Sequence, residues 1–398
     1  MLVRNLALPA LLLLTAPIPA PAQAQTLAPP SWPVGDAELR LSAEASGALF
    51  QPGYKPGQPD WRGSRVSGAL LLMPQLRRDY DSGLSLSLNG AFAAADPLSR
   101  GGYDGDAIEH LTAMARTGLG TIEIGLTDGA GDALDVGGPK PVPYVSLDDP
   151  RTSFYRDPNT GRAVINMFAL RTQAGASSNY AKFVYTSPNL FGAQIALSFG
   201  PGEGKQLPFM NAGPHVPGRQ ADFWEAALRY EDEIGPVSLT AYGAVAESRG
   251  EHKLPGQEGT SDLSFGLRGD YPVTDEITLS LGGSWRQSNA YAFDVNQTWQ
   301  PSITRGQHVS AAVTWNKWMA GLEYGNGVAR RAAIAGLPRL GLNGSQISVA
   351  YNLSDSISVG TGWQRLGYGR SSGKFFNGAS QLNMDAVFLH LYLKTSEQ

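Results

Sequence analysis

The densest group of chemically active side chains in this 398-residue sequence lies between positions 128 and 177. The segment carries six acids and five bases, which are Asp128, Asp132, Asp135, Lys140, Asp148, Asp149, Arg151, Arg156, Asp157, Arg162 and Arg171. Charges of both signs can act strongly on a passing ion where water is confined and the local dielectric is low. The segment is therefore the first candidate for a functional site.

Patterns for catalysis, metal binding and phosphate binding are not found in the sequence. The chain has no Cys, which excludes thiolate metal sites and cysteine nucleophiles, and its five His lack metal-ligand spacing. The run 202–205 reads Gly-Glu-Gly-Lys, but Gln206 follows where a phosphate loop needs Ser or Thr. His110 and His308 are the only plausible bases for an outer-membrane phospholipase, and no Ser pairs with them. We expect no cofactor and no enzymatic activity.

Composition narrows the class of protein. Charged residues make up 17% of the chain, below the ~25% of a typical soluble domain. Hydrophobic residues make up 42% and the mean hydropathy is −0.19, which exclude a disordered chain and a helical membrane protein. The net charge of −4 is too close to balance for a nucleic-acid surface, so no nucleic-acid partner is expected.

The N-terminus resembles a cleavable secretion signal. Arg4 gives a positive start, an apolar run covers 6–16, and Ala22-Gln23-Ala24 forms a cleavage site with small residues. We predict a signal peptide over 1–24 and a short N-terminal extension over 25–35. Removal of Arg4 with the signal leaves the mature chain one charge more negative.

Alternation of apolar and polar residues runs along the rest of the chain, which is the pattern of half-buried strands. It predicts sixteen strands, near 36–49, 62–73, 82–95, 106–116, 119–127, 178–187, 191–199, 222–232, 235–247, 260–271, 274–288, 307–315, 318–327, 344–353, 355–367 and 382–393. Short and long connections alternate between them, as in an up-and-down barrel of an outer membrane.

A soluble β-sandwich also alternates, but a barrel of sixteen strands is too wide for side chains to fill, so a polar inner face must line water. Aromatic residues near strand ends would form the interfacial girdles, and these are Tyr230, Tyr271, Trp285, Trp315, Trp318, Tyr324, Tyr351, Trp363 and Tyr392. We predict an all-β fold, a sixteen-stranded antiparallel transmembrane β-barrel over 36–393, followed by a C-terminal tail over 394–398.

The run Ser-Asn-Tyr-Ala-Lys-Phe-Val-Tyr-Thr-Ser-Pro-Asn-Leu-Phe-Gly at 178–192 is similar to the stretch that follows the constriction loop in general porins of the Gram-negative outer membrane. Residues 118–125 resemble the strand that leads into that loop. The chain thus resembles the trimeric, sixteen-stranded porins over 36–393. It departs from them at its end, where the family usually has Phe and this chain has Gln398.

The resemblance implies that 128–177 folds into the lumen as a constriction loop, the alternative being a surface lid over the mouth. Its acids Asp128, Asp132, Asp135, Asp148 and Asp149 would then face basic residues on the opposite wall. Strand parity selects Arg40, Arg65 and Lys182 as inward-facing basic candidates, which we expect to point into water. The same inward parity is found on later strands, at Arg229, Arg268 and Arg286.

The function implied is a passive, water-filled diffusion pore in the outer membrane for ions and small hydrophilic solutes, with a weak preference for cations. Two alternative functions remain: a substrate-selective porin for sugar or phosphate, and a structural or adhesive barrel with a plugged lumen. The expected partners are a homotrimer of the chain itself, outer-membrane lipid and lipopolysaccharide, and the permeating solutes. Small residues on the first strands (Ala43, Ala45, Gly47 and Gly68) would pack between subunits, and the loop 95–106 would latch them.

Overall fold

The computed structural model of the chain describes residues 27–53, 65–95, 108–148, 170, 172, 180–202, 220–250, 259–289, 302–331, 340–370 and 381–395. Its strands are β1 Ser31–Val34, β2 Ala37–Pro52, β3 Arg65–Asp79, β4 Ser85–Ala95, β5 Ile108–Thr117, β6 Gly120–Thr127, β7 Tyr180–Thr186, β8 Ala193–Gly202, β9 Gln220–Ile234, β10 Val237–Gly250, β11 Ser261–Pro272, β12 Ile277–Ser288, β13 Ser302–Trp315, β14 Trp318–Arg331, β15 Leu340–Ser354, β16 Ile357–Arg370 and β17 Gln381–Lys394.

Strands β2 to β17 form one closed antiparallel barrel. Each strand pairs with the next along the chain, and β17 pairs with β2 from Glu44 opposite Lys394 to Pro52 opposite Ala386. Closure leaves the barrel without an open sheet edge, which a membrane-spanning sheet requires because lipid cannot satisfy exposed backbone groups. The predicted all-β fold of sixteen antiparallel strands is confirmed.

Strand β1 lies in the region predicted as an N-terminal extension. It forms a hairpin with β2 through a two-residue turn in which Gly35 has a φ of +62°, a conformation that glycine adopts without steric cost. β1 pairs with the first residues of β2, on the edge that β17 occupies further along. The hairpin therefore extends the seam of the barrel at the end where β17 stops.

The two faces of the wall differ in polarity, as the alternation predicts. On β11, Leu263, Phe265 and Leu267 point outward and are exposed, whereas Asp262 and Ser264 point inward and are buried. The same division recurs round the barrel, so an apolar outer surface encloses a polar interior. Within the described residues, no helix has the length and apolar character needed to cross a membrane.

The connections alternate in length. Those at one end of the barrel are short and span 80–84, 118–119, 187–192, 235–236, 273–276, 316–317 and 355–356. Those at the other end are longer and span 53–64, 96–107, 128–179, 203–219, 251–260, 289–301, 332–339 and 371–380. Short turns at one rim and long loops at the other are typical of outer-membrane barrels.

Exposed aromatic side chains gather beside the short turns, where a girdle was predicted, and they include Tyr230, Tyr271 and Trp315. Next to the same rim, the rings of Trp318 and Tyr351 lie 4.6 Å apart across β14 and β15. Tyr392 does not belong to this girdle. It shares the inward parity of His390, and its ring centroid lies 5.1 Å from that of Tyr144 in the long segment 128–179.

Candidate functional site

The described part of the long connection between β6 and β7 starts along the inner face of the barrel. It contains a short helix, α1 (Ala130–Ala133). The backbone N–H of Ala130 donates to Ser198 Oγ at 3.1 Å, and that of Gly131 donates to Glu225 Oε2 at 3.2 Å. The hydroxyl of Tyr242 donates to the carbonyl oxygen of Gly131 at 2.6 Å. The wall residues belong to β8, β9 and β10, so α1 is fixed inside the barrel.

The segment then crosses the inner face towards β17. Its residues from Val136 to Leu147 contact inward-facing positions on successive wall strands, including Gly266, Gly282, Ser310, Gly321, Gly344 and Gly360. Tyr144 reaches β17, where its ring centroid lies 6.0 Å from that of His390. An apolar cluster that includes Val142, Val145 and Leu147 also contains Phe50 and Phe388 of the wall. The segment 130–147 therefore covers the inner wall from β8 to β17.

This cover divides the lumen into two sides. Under the segment, inward-facing polar residues are buried, as Asp262, His308 and Gln364 show with at most 1% of their surface exposed. On the opposite wall, formed by β2 to β6, the inward-facing side chains of Arg40 and His110 retain 27% and 35% exposure. Arg40 on β2 and His110 on β5 therefore keep contact with water on the side that the segment does not cover.

A buried polar network fixes the segment to the wall near its middle. Lys140 Nζ lies 2.8 Å from Asp148 Oδ2, and the backbone N–H of Leu147 donates to Glu323 Oε2 at 3.2 Å. Glu323 also contacts His308 Nε2 at 3.1 Å and accepts a hydrogen bond from Gln346 at 2.9 Å. The network unites two charged groups of the segment with side chains of β13, β14 and β15.

Two further residues, Ser146 and Gln364, complete this network. Ser146 Oγ lies 2.8 Å from Asp148 Oδ1 and 2.5 Å from Glu323 Oε2. Gln364 on β16 donates to the carbonyl oxygen of Val145 at 3.2 Å and to Gln346 Oε1 at 2.7 Å. Buried carboxylates are tolerated when such hydrogen bonds and a paired charge compensate for lost hydration.

Asp148 is held ionised by its surroundings. Burial alone would raise the pKa of its carboxyl group, but the positive charge of Lys140, the proximity of His308 and hydrogen bonds from Lys140 and Ser146 lower the pKa to about 2. The packing of the segment on itself therefore depends on a negative charge at this position, because Lys140 and Ser146 both belong to the segment.

The other predicted loop acids lie near the start of the segment. Asp128 Oδ2 is 3.3 Å from His110 Nε2 on β5, and Asp128, Asp132 and Asp135 are partly exposed. Asp149 lies outside the described residues. These placements leave the proposed role of the acids in ion passage as a prediction.

Lys182 has the predicted inward parity but does not point into water. It lies on β7 opposite Gly125 and none of its surface is exposed, because α1 and the neighbouring strands cover it. The carboxylates of Glu225, Asp128 and Asp132 act on it electrostatically. Its buried charge is thus balanced by acids of the wall and of the segment.

The backbone positions of Arg40 and Arg65 lie at different heights on the wall. Arg40 pairs across β2 and β3 with Gln75, whereas Arg65 lies ten positions away at the other end of β3. At the rise of a β-strand these positions are ~33 Å apart. Arg40 contacts Glu38 Oε2 at 3.5 Å, close to the short-turn rim. Strand parity predicts whether a residue lies on the inner or the outer face of the wall. It does not predict the position of that residue along the barrel axis.

The arginines further round the wall carry acidic partners of their own. Arg268 Nε lies 2.9 Å from Asp270 Oδ2, Arg229 pairs with Glu231, and Arg286 forms a bidentate contact with Asp262. The described wall of β9 to β12 therefore presents paired charges and not a row of bare positive groups.

Sequence reasoning missed Glu225 and Glu323, the wall carboxylates that bind the segment. Both have inward parity on strands whose apolar residues face outward, and that parity in an ionisable residue was the available signal. His110 and His308 also lie on the inner face, with Asp128 and Glu323 as their carboxylate partners, and not at a lipid-facing rim. Among the described residues, no cluster of three potential ligands could hold a metal ion.

The closed antiparallel barrel, its apolar exterior and its inner segment define an outer-membrane β-barrel channel. A sequence profile described as "Gram-negative porin" matches residues 10–372, and the chain belongs to this family. It is accordingly a multi-pass β-barrel of the outer membrane. No curated protein sequence matches the chain.

Solved structures share the fold at low sequence identity. The outer membrane channel DcaP of Acinetobacter baumannii is 12% identical with a TM-score of 0.55, and the match covers 92% of this chain and 100% of that one. An anion-selective porin from Comamonas acidovorans is 13% identical with a TM-score of 0.51, over 90% and 99% of the two chains. The trimer form of OmpT of Vibrio cholerae is 12% identical with a TM-score of 0.51, over 90% and 100%.

Proposed function

We propose that this porin is a water-filled channel for the passive diffusion of ions and small hydrophilic solutes. The observation that carries the proposal is the path of the segment 130–147, which lies against the inner wall from β8 to β17, while inward-facing Arg40 on β2 and His110 on β5 keep exposed surface. A channel between the two would be narrowed by the segment, which would then act as the constriction.

Liposome swelling tests the proposal. Liposomes that contain the purified protein should swell in isotonic solutions of small sugars, at a rate that falls smoothly as the sugar becomes larger. A plugged structural or adhesive barrel would give no swelling with a sugar of any size, and that result would overturn the proposal.

We propose a weak preference for cations. The segment 128–177 holds six acids and five bases. The inward-facing Arg229, Arg268 and Arg286 are paired with carboxylates, so their positive charge is largely compensated. The reversal potential across a planar bilayer in a salt gradient measures the preference. A potential of the sign expected for an anion channel would contradict it.

A substrate-selective porin is the second candidate, and one observation favours it. Tyr144 packs against His390 and Tyr392 inside the barrel, which places a cluster of aromatic rings on the inner wall. Such rings can stack on sugar faces. A sugar-selective channel would show ion currents that one class of sugar blocks at saturating concentration, whereas a general channel would show no such saturation.

We also propose that the chain assembles as a homotrimer in outer-membrane lipid and lipopolysaccharide. The trimer form of the Vibrio cholerae protein shares its fold, and Gly47 and Gly68 face each other across β2 and β3 on the outer surface. Small outward side chains let a neighbouring subunit approach closely. The latch loop predicted at 95–106 lies almost wholly outside the described residues. Cross-linking in mild detergent should yield a trimer, and a monomer would overturn this proposal.

A further inference from the structure

Five inward-facing glycines lie under the segment that crosses the lumen. They belong to β11, β12, β14, β15 and β16, and we call them the glycine track: Gly266, Gly282, Gly321, Gly344 and Gly360. On β13, which lies between two of these strands, the small side chains of Ser310 and Ala312 take the corresponding place. At each of these positions a missing or small side chain leaves room for the segment to lie close to the wall.

Each position of the track is filled by an atom of the segment or by its neighbours. A Cβ on Gly360 would lie 2.6 Å from Val142 Cγ2, and one on Gly344 would lie 2.8 Å from Leu147 Cδ2. A Cβ on Gly266 would overlap the carbonyl oxygen of Val136. Since carbon atoms prefer separations of 3.5–4.0 Å, a methyl group on Gly360 requires Val142 to move by about 1 Å, and Val142 is packed within the apolar cluster.

We propose that the glycine track positions the segment against the wall and thereby sets the width of the channel. The inference rests on the proposed function, because it needs an open channel on the other side of the segment. A side chain added between wall and segment moves the segment away from that wall into the lumen and narrows the space that is left for water and solutes. The glycines are thus positioning residues that determine which solutes fit.

Gly360 and Val142 allow a reciprocal test. The close neighbours of a Cβ on Gly360 are the two methyl groups of Val142, and the next atom, the carbonyl oxygen of Val349, lies at 3.5 Å. Replacing Val142 with Ala removes both methyl groups and leaves the backbone of the segment in place. The double variant Gly360→Ala/Val142→Ala therefore has the space that the single variant Gly360→Ala lacks.

The experiment measures single-channel conductance and the sugar-size limit of liposome swelling. Gly360→Ala should lower the conductance and shift the limit to smaller sugars, and adding Val142→Ala should restore both. Gly341→Ala is the matched control, because Gly341 lies on the neighbouring strand β15 and a Cβ there meets no atom within 4 Å. A difference in gel mobility between unheated and heated samples verifies that each variant has folded.

Gly266→Ala is a second variant, to be compared with Gly360→Ala in its response to Val142→Ala. Its new Cβ meets backbone and not a removable side chain, so Val142→Ala should not restore its conductance. The inference is overturned if Gly360→Ala behaves like Gly341→Ala, or if Val142→Ala fails to reverse the effect of Gly360→Ala. A native protein that neither conducts nor swells liposomes would instead overturn the proposed function.

Discussion

Replacing Asp148 with Asn tests the ion pair between Lys140 and the buried Asp148 within the inner segment. The carboxyl pKa of about 2, compared with 3.8 for an unperturbed Asp, means that the folded state prefers the ionised form. At 1.36 kcal/mol per pKa unit, this preference is worth about 2 kcal/mol of folding free energy at neutral pH. Lys140 keeps 28% exposure, so its charge stays hydrated after the change and adds little further cost.

The pH dependence of this effect has a definite sign. Because the folded pKa lies below the unfolded pKa, the contribution of Asp148 is complete above about pH 5 and is lost as the pH falls towards 2. The native protein should therefore be about 2 kcal/mol more stable than Asp148→Asn at pH 7, and the two should approach each other near pH 2.

Urea unfolding in lipid vesicles, followed by tryptophan fluorescence from pH 2 to pH 7, measures the free energy of unfolding and its dependence on pH. Asp355→Asn is the control, because Asp355 lies exposed in the turn between β15 and β16. A difference between native protein and Asp148→Asn that stays constant across this range would refute the reasoning, and so would an equal pH dependence in the control.

Two further changes test the charges of the barrel. Converting Asp132 and Asp135 to Asn should move the reversal potential towards anions. Asp275→Asn and Asp355→Asn change the same number of acids in exposed short turns and should move it much less, because salt screens charges beyond ~8–10 Å. Equal shifts would place the segment's acids away from the ion path. Arg286→Gln leaves its buried carboxylate partner on β11 without a counter-charge, and we expect a loss of ~3–5 kcal/mol in urea unfolding, in contrast to a small loss for a surface arginine.

The strands could be predicted because one simple periodicity determines them. A residue on a barrel strand faces either lipid or interior, so apolar alternation indicates both the strand and its orientation. A predicted strand is too short where its outward-facing residues are not apolar. β13 begins at Ser302 and not at 307, because the stretch Ser-Ile-Thr-Arg-Gly at 302–306 lacks the pattern and its neighbours supply the pairing.

The candidate site was less predictable, because strand parity indicates which way a side chain points but not which residues lie next to it. Lys182 points inward as predicted, yet its burial depends on the path of α1, which no local pattern encodes. The contact between Glu323 and Leu147 joins positions 176 residues apart in the sequence. The strand β1 was missed because four residues that include Pro33 carry too little alternation to indicate a strand.

The seam between β2 and β17 has a consequence for how the barrel is made. The backbone N–H of Ala43 donates to Thr395 Oγ1, and that of Leu41 donates to the carbonyl oxygen of Pro30, so one edge of β2 is shared between the start and the end of the chain. Pairings this distant in sequence form late, because the intervening chain loses much conformational entropy when its ends meet. Until β17 arrives, β2 presents the rest of that edge with unpaired backbone groups, and an unpaired edge invites aggregation. Before β17 pairs, both β2 and β16 present an open edge, so the docking of this single strand removes both edges at once.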